Sequence, residues 1–265
     1  MRTPEPFIIG CAVIGSLPVI LIIAGLLVLA ALQCAEPDAF IQAVSDPSVV
    51  ESIFITFSSA AGATLILVLI GTPLSYVLAR RTFPGKVIIE GLIDLPLILP
   101  HTVAGIIVFL LFMRNGLFGA PLFQIGVIFE ETMAGIIVAM IFVAIPYYVN
   151  TVRDGFSQVP VRLEQVSRSL GADPLKAFMH ITLPLSYRHI LTGGLIAWGR
   201  GVSEFAAVVM IAYHPMVIPT LIYQRFSTGG LYVATAVAFV MVLFSLGLFI
   251  GIRIIGNRVI GDMND

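Results

Sequence analysis

Long apolar stretches alternate with short polar ones along most of this chain. At a helical rise of about 1.5 Å per residue, each stretch is long enough to cross roughly 30 Å of hydrocarbon. The pattern predicts six membrane-spanning helices at approximately residues 7–32, 53–79, 87–113, 132–152, 187–213 and 231–256. One segment departs from the pattern. Residues 152–184 carry many charges and contain no apolar run long enough to cross the membrane.

Prolines are expected to distort the first and third of the predicted spans. Pro18 lies in the middle of the first span and is expected to kink it, because a proline removes a backbone hydrogen bond. That stretch is longer than the core of a cleaved signal peptide, so we expect it to be retained. In the third span Pro96 and Pro100 lie close together, which predicts a bent or broken helix.

Composition supports the membrane assignment. Hydrophobic residues make up 58% of the 265 residues and charged residues only 11%, whereas a soluble domain carries roughly 25% charged residues. The length leaves room for a single membrane domain, predicted as residues 1–265, and for no separate soluble catalytic domain. The two cysteines, Cys11 and Cys34, lie near opposite ends of the first span, too far apart to form a disulfide.

Basic residues are distributed unevenly between the predicted loops. The side that contains Arg80 holds Arg2, Arg80, Arg81, Lys86, Arg153, Arg162, Arg168, Lys176, Arg188, Arg253 and Arg258. The opposite side holds only Arg114 and Arg225. Since Lys and Arg accumulate on the cytoplasmic side of a membrane, the chain is predicted to be a multi-pass plasma-membrane protein. Both termini and the loop 153–184 are predicted to be cytoplasmic.

The charged loop predicts two short helices joined at a glycine. Val166 and Leu170 lie four apart, on one face of a helix expected over residues 161–170. Gly171 is suited to the end of that helix. The sequence Asp173-Pro174 then fits the start of a second helix, expected to continue to residue 180, because aspartate caps helices and proline favours the first position.

Motifs for nucleotide binding and for common hydrolytic chemistry are absent from the sequence. There is no G-x-x-x-x-G-K-[ST] loop to cradle ATP phosphates, no H-E-x-x-H and no G-x-S-x-G. The chain is therefore predicted not to be an enzyme, and any ATP hydrolysis linked to it would belong to a partner.

The spacing within the charged loop resembles the EAA loop of bacterial and archaeal ABC importer permeases. That family pattern reads E-A-A, three residues, G, nine residues, then I-x-L-P. The positions in register with it are Gly171, Ile181, Leu183 and Pro184. The E-A-A positions are occupied by Gln165, Val166 and Ser167, and the nearest acid, Glu164, comes one position early.

This resemblance implies that the loop 153–184 is a coupling element, which would dock on a cytoplasmic ATPase subunit and pass its closure to the membrane helices. An amphipathic loop lying on the membrane surface is the alternative. The residues implied as ATPase-coupling positions are Arg162, Glu164, Gln165, Ser167, Arg168, Leu170, Gly171, Ala172, Pro174 and Leu175.

Other segments resemble permeases for tetrahedral oxyanions. They are DLP at 94–96, PHTVAG at 100–105 and RGVSEF at 200–205. The HTVAGI run is most similar to the archaeal molybdate/tungstate type, and sulfate permeases are near relatives. The resemblance implies an all-α membrane protein with the type I ABC importer permease fold and a molybdate or tungstate cargo, with sulfate or another oxyanion as the alternative.

The same resemblance implies the partners. A homodimer would enclose the pathway, two ATPase subunits would hold ATP and Mg²⁺, and an external oxyanion-binding protein would deliver the cargo. The acidic segment 35–51 and the loops near Arg114 and Arg225 would be its docking surface. No cofactor bound by this chain and no nucleic-acid partner are expected.

Spans three and five carry polar side chains at membrane depth, where ionisable groups are costly and therefore functional candidates. The candidates for the translocation pathway are Pro100, His101, Thr102, Arg200, Ser203 and Glu204. Arg200 and Glu204 are four apart, so they either neutralise each other or leave Arg200 to contact an anion. His101 and Thr102 either line a pathway or cap a broken helix.

A different class of function is a secondary transporter or an intramembrane protease. A coupled carrier should contain buried acids and an internal repeat, but Glu204 is the single convincing mid-span acid and lies near an arginine. Ser203 has no plausible catalytic base. Both alternatives are therefore weaker than the importer.

Overall fold

The computed structural model describes residues 6–261, and the described part is built from helices. The first seven helices are α1 (Pro6–Ala35), α2 (Pro37–Ser45), α3 (Pro47–Arg80), α4 (Lys86–Ile98), α5 (His101–Phe112), α6 (Gly119–Phe123) and α7 (Met133–Gln158). They are followed by α8 (Val161–Ser169), α9 (Pro174–Ala177), α10 (Leu183–Leu185), α11 (Tyr187–Val202), α12 (Ala206–Ile211) and α13 (Ile218–Gly261). Both chain ends, with Arg2, lie outside the described residues. The cytoplasmic location of the termini therefore stays a prediction.

Four helices of the described residues are long and apolar enough to cross a membrane. They are Gly10–Ala35, Pro47–Arg80, Met133–Gln158 and Ile218–Gly251. They correspond to the first, second, fourth and sixth predicted spans. The third and fifth predicted spans are each divided into two shorter helices, so the total of six spans stays a prediction.

The described chain forms two compact units. The smaller comprises the residues up to Glu51 and those from Leu221 onward. In this unit the side chains of α1 are mostly exposed although nearly all are apolar, as expected for a helix in contact with lipid. Asp46 follows α2 and accepts hydrogen bonds from the backbone and hydroxyl of Ser48 and from the guanidinium of Arg225 on α13.

The larger unit, Ser52–Thr220, is organised around α7. The buried side chains of this helix include Met140, Val143, Tyr148, Val152 and Phe156. Tyr148 is tied to α3 by a hydrogen bond of 2.7 Å between its hydroxyl and that of Thr72. The side chain of Phe156 and the ring of Tyr76 on α3 pack edge to face with centroids 5.7 Å apart. This core fixes α3 to α7 near the charged loop.

Glycines allow α7 and α11 to approach closely. A Cβ atom at Gly193 would lie 3.4 Å from the backbone oxygen of Tyr148, and one at Gly155 would overlap the side chain of His189. Close helix contacts through small residues are typical of membrane proteins, since packing rather than hydrophobicity drives association there. The two helices that flank the charged loop are therefore packed tightly against each other.

Candidate functional site

Two helix breaks define the first part of the candidate site. Between α4 and α5, Leu99 and Pro100 adopt extended backbone, with ψ of 139° and 132°. The cause is local, because proline lacks an N–H and disfavours helical backbone in the residue before it. The predicted break in the third span is confirmed. The fifth span was predicted to be continuous, and that is wrong, since α11 ends at Val202 and α12 begins at Ala206.

Polar side chains join the two breaks. The Nη2 atom of Arg200 lies 2.9 Å from Nδ1 of His101 and 2.6 Å from Oε2 of Glu204. Nδ1 of His101 is in turn 3.3 Å from the same carboxylate oxygen. Arg200 also donates through Nη1 to the hydroxyl of Ser203, at 3.2 Å. Arg200 and Glu204 therefore form the ion pair that their spacing allows, and His101 contacts both. Contact of Arg200 with an anion stays a prediction.

Glu204 has a second role at the start of α12. Its Oε1 atom accepts a hydrogen bond of 2.8 Å from the backbone N–H of Ala207, one of the first N–H groups of a helix that lack an internal partner. The Glu204 side chain is only 2% exposed. A buried carboxylate is tolerated when it is paired with a cation and its remaining lone pairs accept hydrogen bonds. Glu204 therefore holds both the helix break and the position of Arg200.

The remaining predicted pathway residues, Pro100 and Thr102, are exposed beside His101. The His101 side chain is itself 44% exposed. The six candidates therefore surround one junction that is buried at Glu204 and open at Pro100, His101 and Thr102. Whether these residues line a translocation pathway stays a prediction.

The two short helices that follow the breaks are packed backbone to backbone. A Cβ atom at Gly105 of α5 would lie 2.8 Å from the Cα and oxygen atoms of Ala207 and from Cβ of Met210 on α12. No side-chain rotation can relieve a contact with backbone, so the sequence needs glycine here. This contact brings the breaks, and hence His101 and Arg200, to the same place.

We expect Gly105→Ala to destabilise the protein by about 2 kcal/mol, within the range for overpacking a tight core. The matched control is Gly91→Ala on α4, where an added Cβ would meet nothing within 4 Å and should increase stability by up to about 1 kcal/mol through helix propensity. Thermal unfolding of the two purified variants measures both effects. Equal melting temperatures would contradict the close α5–α12 contact.

The charged loop forms the second part of the candidate site. The predicted helices are present as α8 and α9, and the chain between them turns at Gly171, whose φ is +97°. The carboxylate of Asp173 accepts a hydrogen bond of 2.8 Å from the backbone N–H of Lys176 and caps α9. After α9 the chain continues as a π-helical turn, Phe178–Thr182, rather than as the α-helix predicted to residue 180.

Glu164 anchors this loop to the membrane helices. Its carboxylate accepts hydrogen bonds from Nε of Arg80 at 2.8 Å, from the hydroxyl of Tyr76 at 3.0 Å, and from the hydroxyl of Thr182. Arg80 also donates to the backbone oxygen of Val159, at 3.0 Å. Burial acts to raise the pKa of Glu164, but the hydrogen bonds from Thr182, Tyr76 and Arg80 outweigh it and lower this pKa below its ordinary value.

The two faces of α8 differ in what they contact. Val161, Glu164, Gln165 and Arg168 lie on the face toward α3 and α9. The opposite face exposes Leu163, Val166 and Leu170, and the Leu170 side chain is 83% exposed. The other predicted coupling residues, Arg162, Gly171, Ala172, Pro174 and Leu175, lie on or next to the exposed surface, and Ser167 is half-buried. Glu164 is buried, so within this chain it attaches the loop.

The anchoring partners of Glu164 were missed by sequence reasoning. Arg80 was used only as a topology signal, and nothing drew attention to Tyr76 or Thr182. One signal was available, because Glu164 on α8 and Arg80 at the end of the second predicted span carry opposite charges and could neutralise each other. Their separation along the chain, 84 residues for Arg80 and Glu164, gives no indication that they meet.

The attachment of the loop should depend on pH. Because the pKa of Glu164 is lowered in the fold, its stabilising contribution is fully present above the ordinary value of 4.5 and is lost as the pH falls through the lower folded-state pKa. Hydrogen exchange of residues 161–182, corrected for its intrinsic pH dependence, should therefore accelerate on acidification.

The variant Glu164→Gln tests the same contact at neutral pH. It leaves the buried Arg80 without a counter-charge, which we expect to weaken the loop attachment by up to about 3 kcal/mol. Exchange of the loop should be fast at neutral pH and no longer respond to acid in this variant. A wild-type loop whose exchange does not change with acidification would contradict the assignment.

Two polar contacts also tie α4 to α7. The Asn150 amide donates to the carboxylate of Asp94 at 2.7 Å, and Nη1 of Arg153 donates to Glu90 at 3.1 Å. The half-helix before the Pro100 break is thus fixed to the helix that leads into the charged loop. A displacement of α7 would carry α4 with it.

Relatives of this chain are found among known transport proteins. Residues 71–261 match the family described as the inner membrane component of binding-protein-dependent transport systems. The chain belongs to this family. Among the similar permeases is the molybdate/tungstate transport system permease protein of Methanocaldococcus jannaschii, 38% identical over 213 residues that cover 80% of this chain and 84% of that protein.

Two further relatives are permeases for molybdate/tungstate and for sulfate. The molybdate/tungstate transport system permease protein of Thermococcus kodakarensis is 34% identical over 85% of this chain and 86% of its own length. The sulfate transport system permease protein CysT of a Synechocystis strain is 31% identical over 85% of this chain and 81% of its own length. The predicted recognition as an ABC importer permease of the oxyanion type is confirmed, and the secondary transporter and the protease are set aside.

Solved structures confirm the permease fold. The chain is similar to a bacterial ABC transporter involved in the import of the acidic polysaccharide alginate, with a TM-score of 0.71, 17% identity and coverage of 96% of this chain and 93% of that one. For the alginate transporter in complex with its pentasaccharide-bound periplasmic protein, the TM-score is 0.76 at 18% identity, covering 96% and 95% of the two chains. At such identity the likeness concerns the fold alone.

Proposed function

We propose that this permease is the membrane-spanning subunit of an ATP-driven plasma-membrane importer for molybdate or tungstate. The proposed cargo is supported by sequence identity. The chain is 34–38% identical to four molybdate/tungstate permeases, compared with 29–32% to sulfate permeases. The importer works as a homodimer with two cytoplasmic ATPase subunits, which hold ATP and Mg²⁺, and with an external oxyanion-binding protein. This chain binds no cofactor of its own.

The ATPase subunit contacts the exposed face of α8. Leu163, Val166 and Leu170 present an apolar stripe on this face, and an apolar helix face in a groove is a common mode of recognition. Displacement of α8 passes directly into α7, and through the Glu164–Arg80 ion pair of 2.8 Å into α3. On the other side, α9 leads into α11. The loop therefore moves three packed membrane helices together.

The junction of the two helix breaks closes the translocation pathway. The His101–Arg200–Glu204 contacts bridge spans that must separate if an anion is to pass between them. Since Glu204 neutralises Arg200 at 2.6 Å, the closed state offers no strong anion site, which suits a protein that must release its cargo. When the contact lengthens, Arg200 and His101 become available to a passing oxyanion.

The external binding protein docks near the acidic segment 35–51. Glu36 and Asp38 are exposed there. Asp46 differs from them, since it is paired with Arg225. Arg114 in another outer loop is likewise paired, with Glu130 at 2.9 Å. Glu36 and Asp38 form no ion pair within the described part of the chain, so they are better placed than the two arginines to meet a basic patch on the partner.

Reconstitution tests the proposed function. The permease, its ATPase and its binding protein are placed in liposomes, and uptake of molybdate, tungstate and sulfate is measured with ATP and without it. We expect ATP-dependent uptake of molybdate and tungstate. ATP-dependent uptake of sulfate alone would support the proposed importer but contradict the proposed cargo. Uptake that does not depend on ATP would contradict the importer mechanism.

A further inference from the structure

A cavity of about 530 Å³ lies between the end of α3 and the inner faces of α8 and α9. It is behind the exposed stripe of α8, so an ATPase subunit bound to that stripe would leave the cavity free. Its lining includes Pro73 and Val77 from α3, Arg81 directly after α3, and Val161 and Arg168 from α8. Five of the predicted coupling residues also line it, namely Glu164, Gln165, Arg168, Pro174 and Leu175, but none of them belongs to the Leu163, Val166 and Leu170 stripe proposed to contact the ATPase.

The cavity has an apolar depth and a basic rim. Pro73 and Val77 precede Arg81 on the spanning helix α3, so they lie deeper in the membrane, about 12 Å and 6 Å from it at the rise of an α-helix. Val161 and Leu175 add apolar surface from the loop. An amphipathic ligand, charged at one end and apolar at the other, matches such a gradient.

The charge on the rim is not neutralised within the described chain. Arg80 also lines the cavity, but it is committed to Glu164. Arg81 and Arg168 are exposed and form no ion pair with any acid among residues 8–251. Guanidinium groups bind phosphate oxygens in a bidentate manner, and basic pockets at the cytoplasmic ends of membrane helices are typical sites for anionic lipid headgroups.

We propose that this cavity binds an anionic membrane lipid, whose headgroup phosphate lies between Arg81 and Arg168 and whose first acyl carbons lie along Pro73 and Val77. A free oxyanion fits less well, because Tyr76 and Arg80 in the lining already donate to Glu164, and Pro73, Val77, Val161 and Leu175 offer it no hydrogen-bond donor. The lipid would hold the inner face of α8 at the membrane interface. The proposal concerns a bound lipid and does not depend on the cargo.

The test measures lipid retention and thermal stability of the purified transporter complex in neutral detergent. Wild type is supplied with phosphatidylglycerol, with phosphatidylcholine, or with inorganic phosphate or molybdate. We expect phosphatidylglycerol to be retained through gel filtration and to raise the melting temperature, while phosphatidylcholine and the free anions do neither. Equal effects of the free anions would overturn the proposal in favour of a small-anion site.

Variants locate the site. Arg81→Gln combined with Arg168→Gln should weaken phosphatidylglycerol binding by about 20-fold, since each arginine near an anionic surface contributes a few-fold in affinity. The matched control is Arg162→Gln, compared with Arg168→Gln alone. Each removes one charge from α8, but Arg162 is outside the cavity lining, so its substitution should leave binding unchanged.

Two results would overturn the assignment to this cavity. One is unchanged retention in the double variant, which would mean that the lipid binds elsewhere or that another protein chain fills the space. The other is an equal loss in Arg162→Gln, which would mean that the loop attracts lipid only through its overall charge. A Val77→Phe variant keeps both arginines and narrows the apolar part, so it should also reduce retention.

Discussion

Glu204→Ala is expected to destabilise the protein by about 3–5 kcal/mol, the cost of removing one partner from a buried ion pair. The carboxylate is 2% exposed and contacts Arg200 at 2.6 Å. Its loss leaves a guanidinium whose side chain is only 17% exposed without a counter-charge. It also removes the acceptor for the backbone N–H of Ala207, so the start of α12 loses its cap. Thermal unfolding of the purified protein in detergent measures the loss.

Glu204→Gln separates the two roles of this side chain. The glutamine amide oxygen can still accept from Ala207, whereas the negative charge is gone. We therefore expect Gln to be destabilising, but less so than Ala by about 1 kcal/mol, the contribution of a helix cap. Ser203→Ala is the control, since it removes a neutral contact of 3.2 Å to the same arginine and should change stability by under about 1 kcal/mol.

A melting temperature of Glu204→Ala close to that of wild type would contradict the buried pair. A result in which Gln and Ala are equally destabilising would contradict the cap and leave the charge as the whole effect. Arg200→Gln completes the cycle, because it removes the cation and leaves Glu204 buried. Its cost in the Glu204→Gln background should be much smaller than in wild type, as coupling through one contact requires.

The outline of the fold follows from local sequence pattern. Apolar stretches predict where the long helices lie, and Pro100 predicts the first break because it lacks an N–H and disfavours helical backbone in the residue before it. The second break, between Val202 and Ala206, has no proline. It is stabilised by Glu204, which meets Ala207 locally and Arg200 and His101 across the junction. A break that depends on tertiary partners cannot be predicted from local propensity.

The helix α2 was within reach of sequence reasoning but was not predicted. The segment was described only by its acidic charge, yet Pro37 stands at its first position and Asp46-Pro47 closes it. A proline suits the first turn of a helix, and a residue before proline ends one. The prolines at positions 37 and 47 were therefore sufficient to predict where α2 begins and ends, although the acidic charge of the segment was not.

The charged loop was predicted closely, since each of its turns depends on a residue with a local role. Gly171 adopts the positive φ that only glycine tolerates easily, and Asp173 accepts from the N–H three residues later. What the loop is attached to could not be predicted. The Glu164 site gathers Tyr76 and Arg80 from α3 and Thr182 from the π-helical turn, and neither the spacing nor the family pattern indicates this set.

Leu170→Asp is expected to reduce ATP-dependent uptake by more than about tenfold while leaving the fold intact. Leu170 is 83% exposed at the end of α8, so a charge there should change stability by no more than about 0.5 kcal/mol. In the complex with the ATPase the same charge would be buried against an apolar groove, and burying an unpaired carboxylate costs several kcal/mol. Coupling, rather than folding, should therefore be lost.

Gln158→Asp is the matched control for this variant. It adds the same charge at another exposed position, at the end of α7 and outside the stripe on α8, and should retain uptake. The purified variants are compared by melting temperature, by capture of the ATPase subunit and by uptake into liposomes. If Leu170→Asp still captures the ATPase and transports like wild type, the exposed stripe is not the coupling surface. If both variants fail equally, the effect belongs to cytoplasmic charge in general and not to Leu170.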